Sequence, residues 1–295
     1  MGTVVDGRFE IESVVSASSS ATLYVAVDQR TDGLVMLRLF TSDASASRGD
    51  ALLEQAASSF EMIHPNVVRV IAFGRADVRG SSRVYVVSER LTGGTLQDMI
   101  DRGRLLTPAQ ALVVGVDVCR ALDYAHKRGV LHHDLRPSAI VFGTDRKARV
   151  AELGVASVIA EHAWVDVTSV SLERARYASP EQAQNEPFDE KSDVYALALC
   201  LAEAVTGSVP FLADSVVATL SQRVGKLFPV SADMGGLASV LEKAGRSDPL
   251  ERSSAAEMGR ALVQAAPSLS RPQPLPIVQV GGDVDPDRTG DVSAP

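Results

Sequence analysis

His132-His133-Asp134-Leu135-Arg136-Pro137 stands near the middle of the chain, between the short apolar runs Val130-Leu131 and Ile140-Val141-Phe142. A third short run, Arg149-Val150-Ala151, leads into Glu152-Leu153-Gly154. Ser179-Pro180-Glu181 follows, then Ser192-Asp193-Val194-Tyr195, then Thr206-Gly207 with Pro210-Phe211, and last Arg252. Any one of these fragments is a weak signal; all of them in this order make a specific one. Around them the chain reads as helix. Asp193 to Thr206 is apolar on nearly every face, which predicts a central buried helix, and Thr206-Gly207 forms its C-cap. Thr95 to Asp101 and Pro108 to Arg128 read as earlier helices, with Thr107 as N-cap and Pro108 in the first turn. Val216 to Val224, Met234 to Ala244 and Ala255 to Ala265 read as later ones.

Upstream of Gly93-Gly94 the pattern changes to short strands. Phe9 to Val15, Thr22 to Asp28 and Leu34 to Phe40 are alternating or apolar runs, and Asp32-Gly33 between the last two is a hairpin signal. Ala51 to Met62 has helical spacing, with Leu52, Ala56 and Phe60 along one face; His64-Pro65-Asn66 ends it. Val67 to Phe73 and Val84 to Ser88 complete the strand set. From Pro267 the periodicity stops, and prolines, Gly281-Gly282 and aspartates read as a linker or disordered tail. Within it, Arg271-Pro272-Gln273-Pro274-Leu275-Pro276 reads as a spacer or a polyproline ligand. The expected organisation is a two-lobed α+β protein: a β-rich lobe over 1–91, a helical lobe over 92–266 and a Pro/Gly/Asp-rich tail over 267–295. A ligand is expected in the cleft between the lobes.

Composition narrows the field. A chain of 295 residues with 45% hydrophobic content can build a proper core, and its net charge of −8 argues against a nucleic-acid binder that works by overall charge. Cys119 and Cys200 sit in apolar helical stretches and read as core residues, and no Cys/His spacing fits a structural zinc. The longest apolar run, Val194 to Val205, is interrupted by Glu203 and too short to span a bilayer. With no apolar signal region at the N-terminus, the expectation is a cytoplasmic chain. Only five of the 29 basic residues are lysines, and none precedes Lys127.

The ordered fragments resemble the bacterial Ser/Thr protein kinases, above all the receptor-type kinases with a Pro-rich juxtamembrane linker, over residues 8 to 266. The resemblance implies the two-lobed protein-kinase fold, so the tail could lead to a membrane segment in a longer parent. It also implies phosphoryl transfer, which requires positioned phosphates, a held metal and neutralised charge. The phosphate-covering loop of the family carries three glycines; here Ser16, Ser18 and Ala21 occupy those positions, which restricts the backbone needed to close on phosphates. Arg38 replaces the phosphate-holding lysine, and no lysine elsewhere in the small lobe can stand in for it. Met36 replaces the alanine over the adenine and is expected to fill part of that pocket. The helix partner of the lysine falls on Gln55, with Glu54 one position away as the alternative register. Glu89 and Leu91, at the crossover between lobes, complete the degenerate nucleotide set.

In the catalytic loop the resemblance puts Asp134 at the substrate-hydroxyl position and Arg136 in place of the phosphoryl-steadying lysine, so both are candidate catalytic residues, if vestigial. His133 replaces the arginine that meets an activation-loop phosphate. Ala139 replaces the metal-binding asparagine and offers no donor atom; Glu152 replaces the metal-binding aspartate with one extra methylene, where Mg²⁺ demands near-ideal geometry. Arg174 stands where the family carries a threonine. The fold-holding residues His132, Gly154, Glu181, Asp193 and Arg252 are all present, and in the family Glu181 and Arg252 form a buried ion pair while Asp193 caps the catalytic loop.

Loss of the chemistry with retention of the fold resembles a pseudokinase: a scaffold or allosteric partner in Ser/Thr phosphorylation signalling, with no bound cofactor. The alternatives are a weak or atypical Ser/Thr kinase using ATP and Mg²⁺, and a nucleotide sensor that binds without transfer. Expected partners are proteins, either an active kinase or its substrate, with no nucleic acid and no membrane segment in this chain. Thr168, Ser169, Ser171 and Thr289 are candidate phosphorylation sites.

Overall fold

The computed structural model describes residues 2–41, 46–164 and 170–280. Thr168, Ser169 and Thr289 lie outside the described residues.

The first lobe is an antiparallel six-stranded sheet in the order β1 (Val4–Val5), β2 (Phe9–Ala17), β3 (Ala21–Asp28), β4 (Gly33–Phe40), β6 (Ser81–Glu89), β5 (Val70–Val78). Period-two alternation in β4 sends Val35, Leu37 and Leu39 to one face, where they pack with Phe9, Ala26 and Val87. Phe40, Val84, Val86 and Val70 meet Leu52 and Ala56 of helix α1 (Ala46–Phe60) on the other. The β3–β4 turn is the Asp-Gly hairpin: Asp32 takes φ 53° and its amide donates to the Asp28 carbonyl. Asp28 also receives two 2.7 Å hydrogen bonds from Arg8, which tie the turn to the start of β2.

The second lobe is helical. Capping boxes at Thr95/Asp98 and Thr107/Gln110 start α2 (Leu96–Asp101) and α3 (Pro108–His126). A small hairpin, β7 (Ile140–Phe142) with β8 (Ala148–Val150), follows. Next come α4 (Val155–Trp164), α5 (Leu172–Ala175), α6 (Pro180–Ala183) and α7 (Glu190–Thr206). Helices α8 (Val216–Ser221), α9 (Ala238–Ala244) and α10 (Ala255–Ala265) close the lobe. Helix α7 is buried from Ser192 through Val205, with its Cys200 and Cys119 of α3 in the same core, and ends at Gly207 with φ 76°.

Two features depart from the sequence expectation. The sequence reading places no element at 155–164, yet these residues form α4, packing Val155 and Ile159 against Leu52 and Ala56 of α1. The described part of the tail, 267–280, is not a free linker. It begins with a short turn at Ala266–Ser268 and then runs extended along the helical lobe, where Leu275 and Val278 are buried. Composition misled here because prolines that exclude regular structure do not exclude apolar side chains from a groove.

Candidate active-site cleft

A cavity of about 260 Å³ lies between the lobes. Its walls are largely apolar: Val15, Leu23, Val25 and Met36 from the sheet, Val70 and Val86 behind, Val141 and Leu153 below. Glu89 and Leu91 of the crossover line one side, with Val280 of the tail beside them. Met36, expected to fill part of this space, stands among its lining residues.

The loop over the cleft is closed on itself. β2 and β3 stay paired up to Ser16 with Leu23 and Ala17 with Thr22, leaving Ser18 to Ser20 as the turn. The Ser18 amide donates to the Ala21 carbonyl at 2.9 Å, and the Ala21 amide donates to Ser18 Oγ at 3.2 Å. The Ser20 carbonyl accepts from the Thr41 amide at 2.9 Å. No residue of 16–21 has a positive φ. A phosphate-wrapping loop needs amides pointing outward in the conformations glycine supplies; these amides are used internally.

Arg38, on β4, pairs with Glu152 across the cleft. Glu152 sits in the left-handed region at φ 65°, a strained setting for a side-chain-bearing residue. Gln55 of α1 does not meet Arg38 in a described contact: its Oε1 lies 3.1 Å from where a Cβ on Gly154 would stand. Ser59, one turn on, donates to the Leu153 carbonyl at 2.6 Å. Helix α1 is thus tied to the Leu153–Gly154 backbone and to α4, and Arg38 takes the acid at 152 as its counterion.

Asp134 is similarly engaged. Arg174 Nε donates to Oδ1 at 3.1 Å and Nη2 to Oδ2 at 3.0 Å, a two-pronged grip with both side chains mostly buried. Arg136 Nη2 lies 3.8 Å from the same carboxylate and pairs through Nη1 with Glu173. Ser171 holds α5, which carries both Glu173 and Arg174, by accepting from the Arg174 amide. Behind it, the fully buried Arg223 donates to the carbonyls of Ala175, Arg176 and Ala178, fixing the segment that aims Arg174. Burial lowers the Arg223 pKa to about 10.

The supports under the loop are dense. Asp193, fully buried on α7, accepts from the amides of His132 at 3.0 Å and His133 at 2.7 Å, and its Oδ2 is 2.9 Å from His126 Nε2. Desolvation opposes its charge, but the bond to His126 and the nearby histidine charges outweigh it and hold the carboxyl well below the usual range. Arg252 meets Glu181 through bonds of 2.7 and 2.6 Å, both residues buried, and its remaining donors reach the carbonyls of Arg246, Ser247 and Lys191. Against the cost of desolvation, this partner pulls the Glu181 pKa down. The His133 ring, at φ 58°, stacks edge-on against Phe188 with centroids 4.6 Å apart.

The parts fit the family ligand unevenly. The apolar slot suits a flat purine ring. The magnesium-bound phosphates do not fit: Ala139 has no donor, Glu152 is paired with Arg38, and the overlying loop spends its Ser18 and Ala21 amides on itself. Among the described residues no cluster of three or more His, Cys, Asp or Glu is placed to hold a metal. Sequence reasoning noted Arg174 but not its grip on Asp134, and it missed Glu173, Arg223 and Val280. The pattern Val155, Val158, Ile159 was the available signal for α4; nothing local signalled the others.

The model of the protein kinase domain matches residues 9–260. The chain is 31% identical over 266 residues to the serine/threonine-protein kinase PknB of Mycobacterium tuberculosis, covering 87% of this chain and 42% of that protein. It is 30% identical over 219 residues to PknB of Mycobacterium leprae, covering 74% and 35%. The chain therefore spans less than half the length of these relatives. Among solved structures, a variant of the PknI kinase domain of Mycobacterium tuberculosis aligns with a TM-score of 0.67 at 23% identity, over 90% of this chain and 98% of that one.

Proposed function

The chain belongs to the protein kinase domain family, and from that premise we propose that it is a catalytically silent member acting as a scaffold or allosteric partner in Ser/Thr phosphorylation signalling. The observation that carries the reading is the double pairing of acids with arginines. Asp134, which would orient a substrate hydroxyl, is gripped by Arg174, and Glu152, which would hold metal, is paired with Arg38. Phosphoryl transfer needs both acids facing the reactants. The self-closed loop at 16–21 and the alanine at 139 support the same conclusion. In this reading the chain recognises proteins, binds no nucleic acid, and works on the cytoplasmic side whether alone or within a longer membrane protein. Among the described residues no helix is long and apolar enough to cross a membrane.

The test is incubation of the purified protein with labelled ATP, Mg²⁺ or Mn²⁺ and generic protein acceptors. No transfer is expected. Robust transfer that disappears in Asp134→Asn would overturn the proposal in favour of an atypical Ser/Thr kinase. A second reading, a sensor that binds a nucleotide or nucleoside without transfer, is favoured by one observation: the base slot remains open at about 260 Å³. A ligand at a hundred times its Kd stabilises the fold by ~2.7 kcal/mol, so thermal shift resolves it.

A further inference from the structure

The tail crosses the link between the lobes, beyond the end of the kinase-domain match at residue 260. Its backbone joins the crossover like a short strand: Val278 N donates to the Gly93 carbonyl at 3.2 Å and Val280 N to the Thr92 carbonyl at 3.0 Å. The helical lobe reads its carbonyls. Gln110 Nε2 donates to Gln273 and Pro274, Arg146 to Leu275, and Arg104 to Pro276 and Ile277. Arg90 of the crossover reaches the Val280 carbonyl at 3.1 Å. Leu275 and Val278 are 5% and 1% exposed and join the main core of the lobe.

Gly94 records the same contact from the other side. A Cβ there would stand 2.4 Å from the Val278 carbonyl oxygen, so the tail lies where only a glycine permits it. Prolines at 272, 274 and 276 favour the extended form, which lowers the entropy lost on docking. At the end of this path Val280 enters the wall of the inter-lobe cavity beside Leu91, Gly94 and Asp98.

We propose that residues 271–280 are a strap that completes the ligand site, with Val280 a ligand-contacting residue, and that strap docking and occupancy of the slot by a purine nucleoside reinforce each other. This rests on the sensor reading of the open slot, not on catalytic silence. Coupling of this kind is reciprocal: a ligand that touches the docked strap holds it down by the same factor by which the strap tightens the ligand. Adenosine is the suitable probe, because it carries the ring that fits and none of the phosphates that do not.

The experiment measures adenosine affinity by calorimetry on the full chain, on a chain ended after Ser270, on Leu275→Asp/Val278→Asp, and on Val280→Ser. Urea unfolding of each reports whether the fold survives. The truncated and double variants are expected to bind about tenfold more weakly, with Val280→Ser intermediate. In the full chain, adenosine is expected to slow hydrogen exchange at the Val278 and Val280 amides. Equal or tighter binding without the strap, no binding to the full chain, or unchanged exchange at those amides overturns the proposal. If truncation prevents folding, Val280→Ser and the exchange measurement decide it alone. Phosphoryl transfer plays no part in these readouts, so their failure is distinct from a failure of the silent-kinase reading.

Discussion

Arg174 and Asp134, forty residues apart in sequence, are joined by two hydrogen bonds of 3.1 and 3.0 Å. An aspartate held this way has both oxygens committed to a planar fork of fixed charge. Arg174→Ala is expected to lower stability by about 1–3 kcal/mol in urea unfolding, because it removes both hydrogen-bond donors from a mostly buried carboxylate and leaves only Arg136 at 3.8 Å. Arg174→Lys, which keeps charge without the fork, is expected to recover less than half of that loss. If Arg174→Ala unfolds at the same urea concentration as the parent chain, the grip contributes nothing to the fold.

The Arg252–Glu181 pair gives a larger effect. Arg252→Ala leaves the buried Glu181 carboxylate with the Ser192 hydroxyl but no counter-charge, strips donors from several carbonyls, and is expected to cost about 3–5 kcal/mol. Replacing both partners, as Glu181→Leu with Arg252→Met, is expected to cost much less than the single change, since no charge is then stranded. Comparing the unfolding midpoints of the single and double variants checks this.

Acid is expected to unfold the protein through Asp193 and Glu181. Both carboxyls titrate below their unfolded values, of about 3.9 and 4.3, so their stabilisation is complete above that range and is lost as pH falls through the folded pKa values. Unfolding free energies measured between neutral pH and about pH 3 should fall steeply below pH 4. In Asp193→Asn the neutral-pH stability should be lower and the acid dependence shallower.

Glu203 carries the opposite sign. Burial pushes its pKa up despite the 2.6 Å bond it accepts from Tyr177. A carboxyl with a raised folded pKa costs stability while ionised, and the cost fades as pH falls through that value. Glu203→Gln keeps an acceptor for the tyrosine and should leave Tm at neutral pH equal or higher. Glu203→Leu, which strands the hydroxyl, should cost about 1–3 kcal/mol.

Local chemistry made much of the fold legible. The Asp32-Gly33 hairpin, the caps at Thr95 and Thr107, and the apolar run of α7 depend on residues within a turn or two of each other, where backbone preference and side-chain period act directly. The composition of the cleft was legible in the same way: whatever their surroundings, Ala139 has no donor atom for a metal, position 38 carries an arginine and not a lysine, and the stretch 16–21 has no glycine. Helix α4 was not legible from the ordered fragments, because its reason to form is the apolar face that α1 presents to Val155 and Ile159.

By itself, then, the sequence determined most of the elements, though not α4, and which donor atoms, glycines and ammonium groups the cleft lacks. Only the tertiary structure decided what the remaining groups do. Arg38 takes Glu152 rather than Gln55, Arg174 closes on Asp134, and a proline-rich tail becomes a wall of the pocket. The physical reason is that pairing and burial depend on distance in space. A guanidinium finds whichever carboxylate the packed lobes bring within about 3 Å, and Leu275 and Val278 leave water only where the groove and the Gly94 gap are already built.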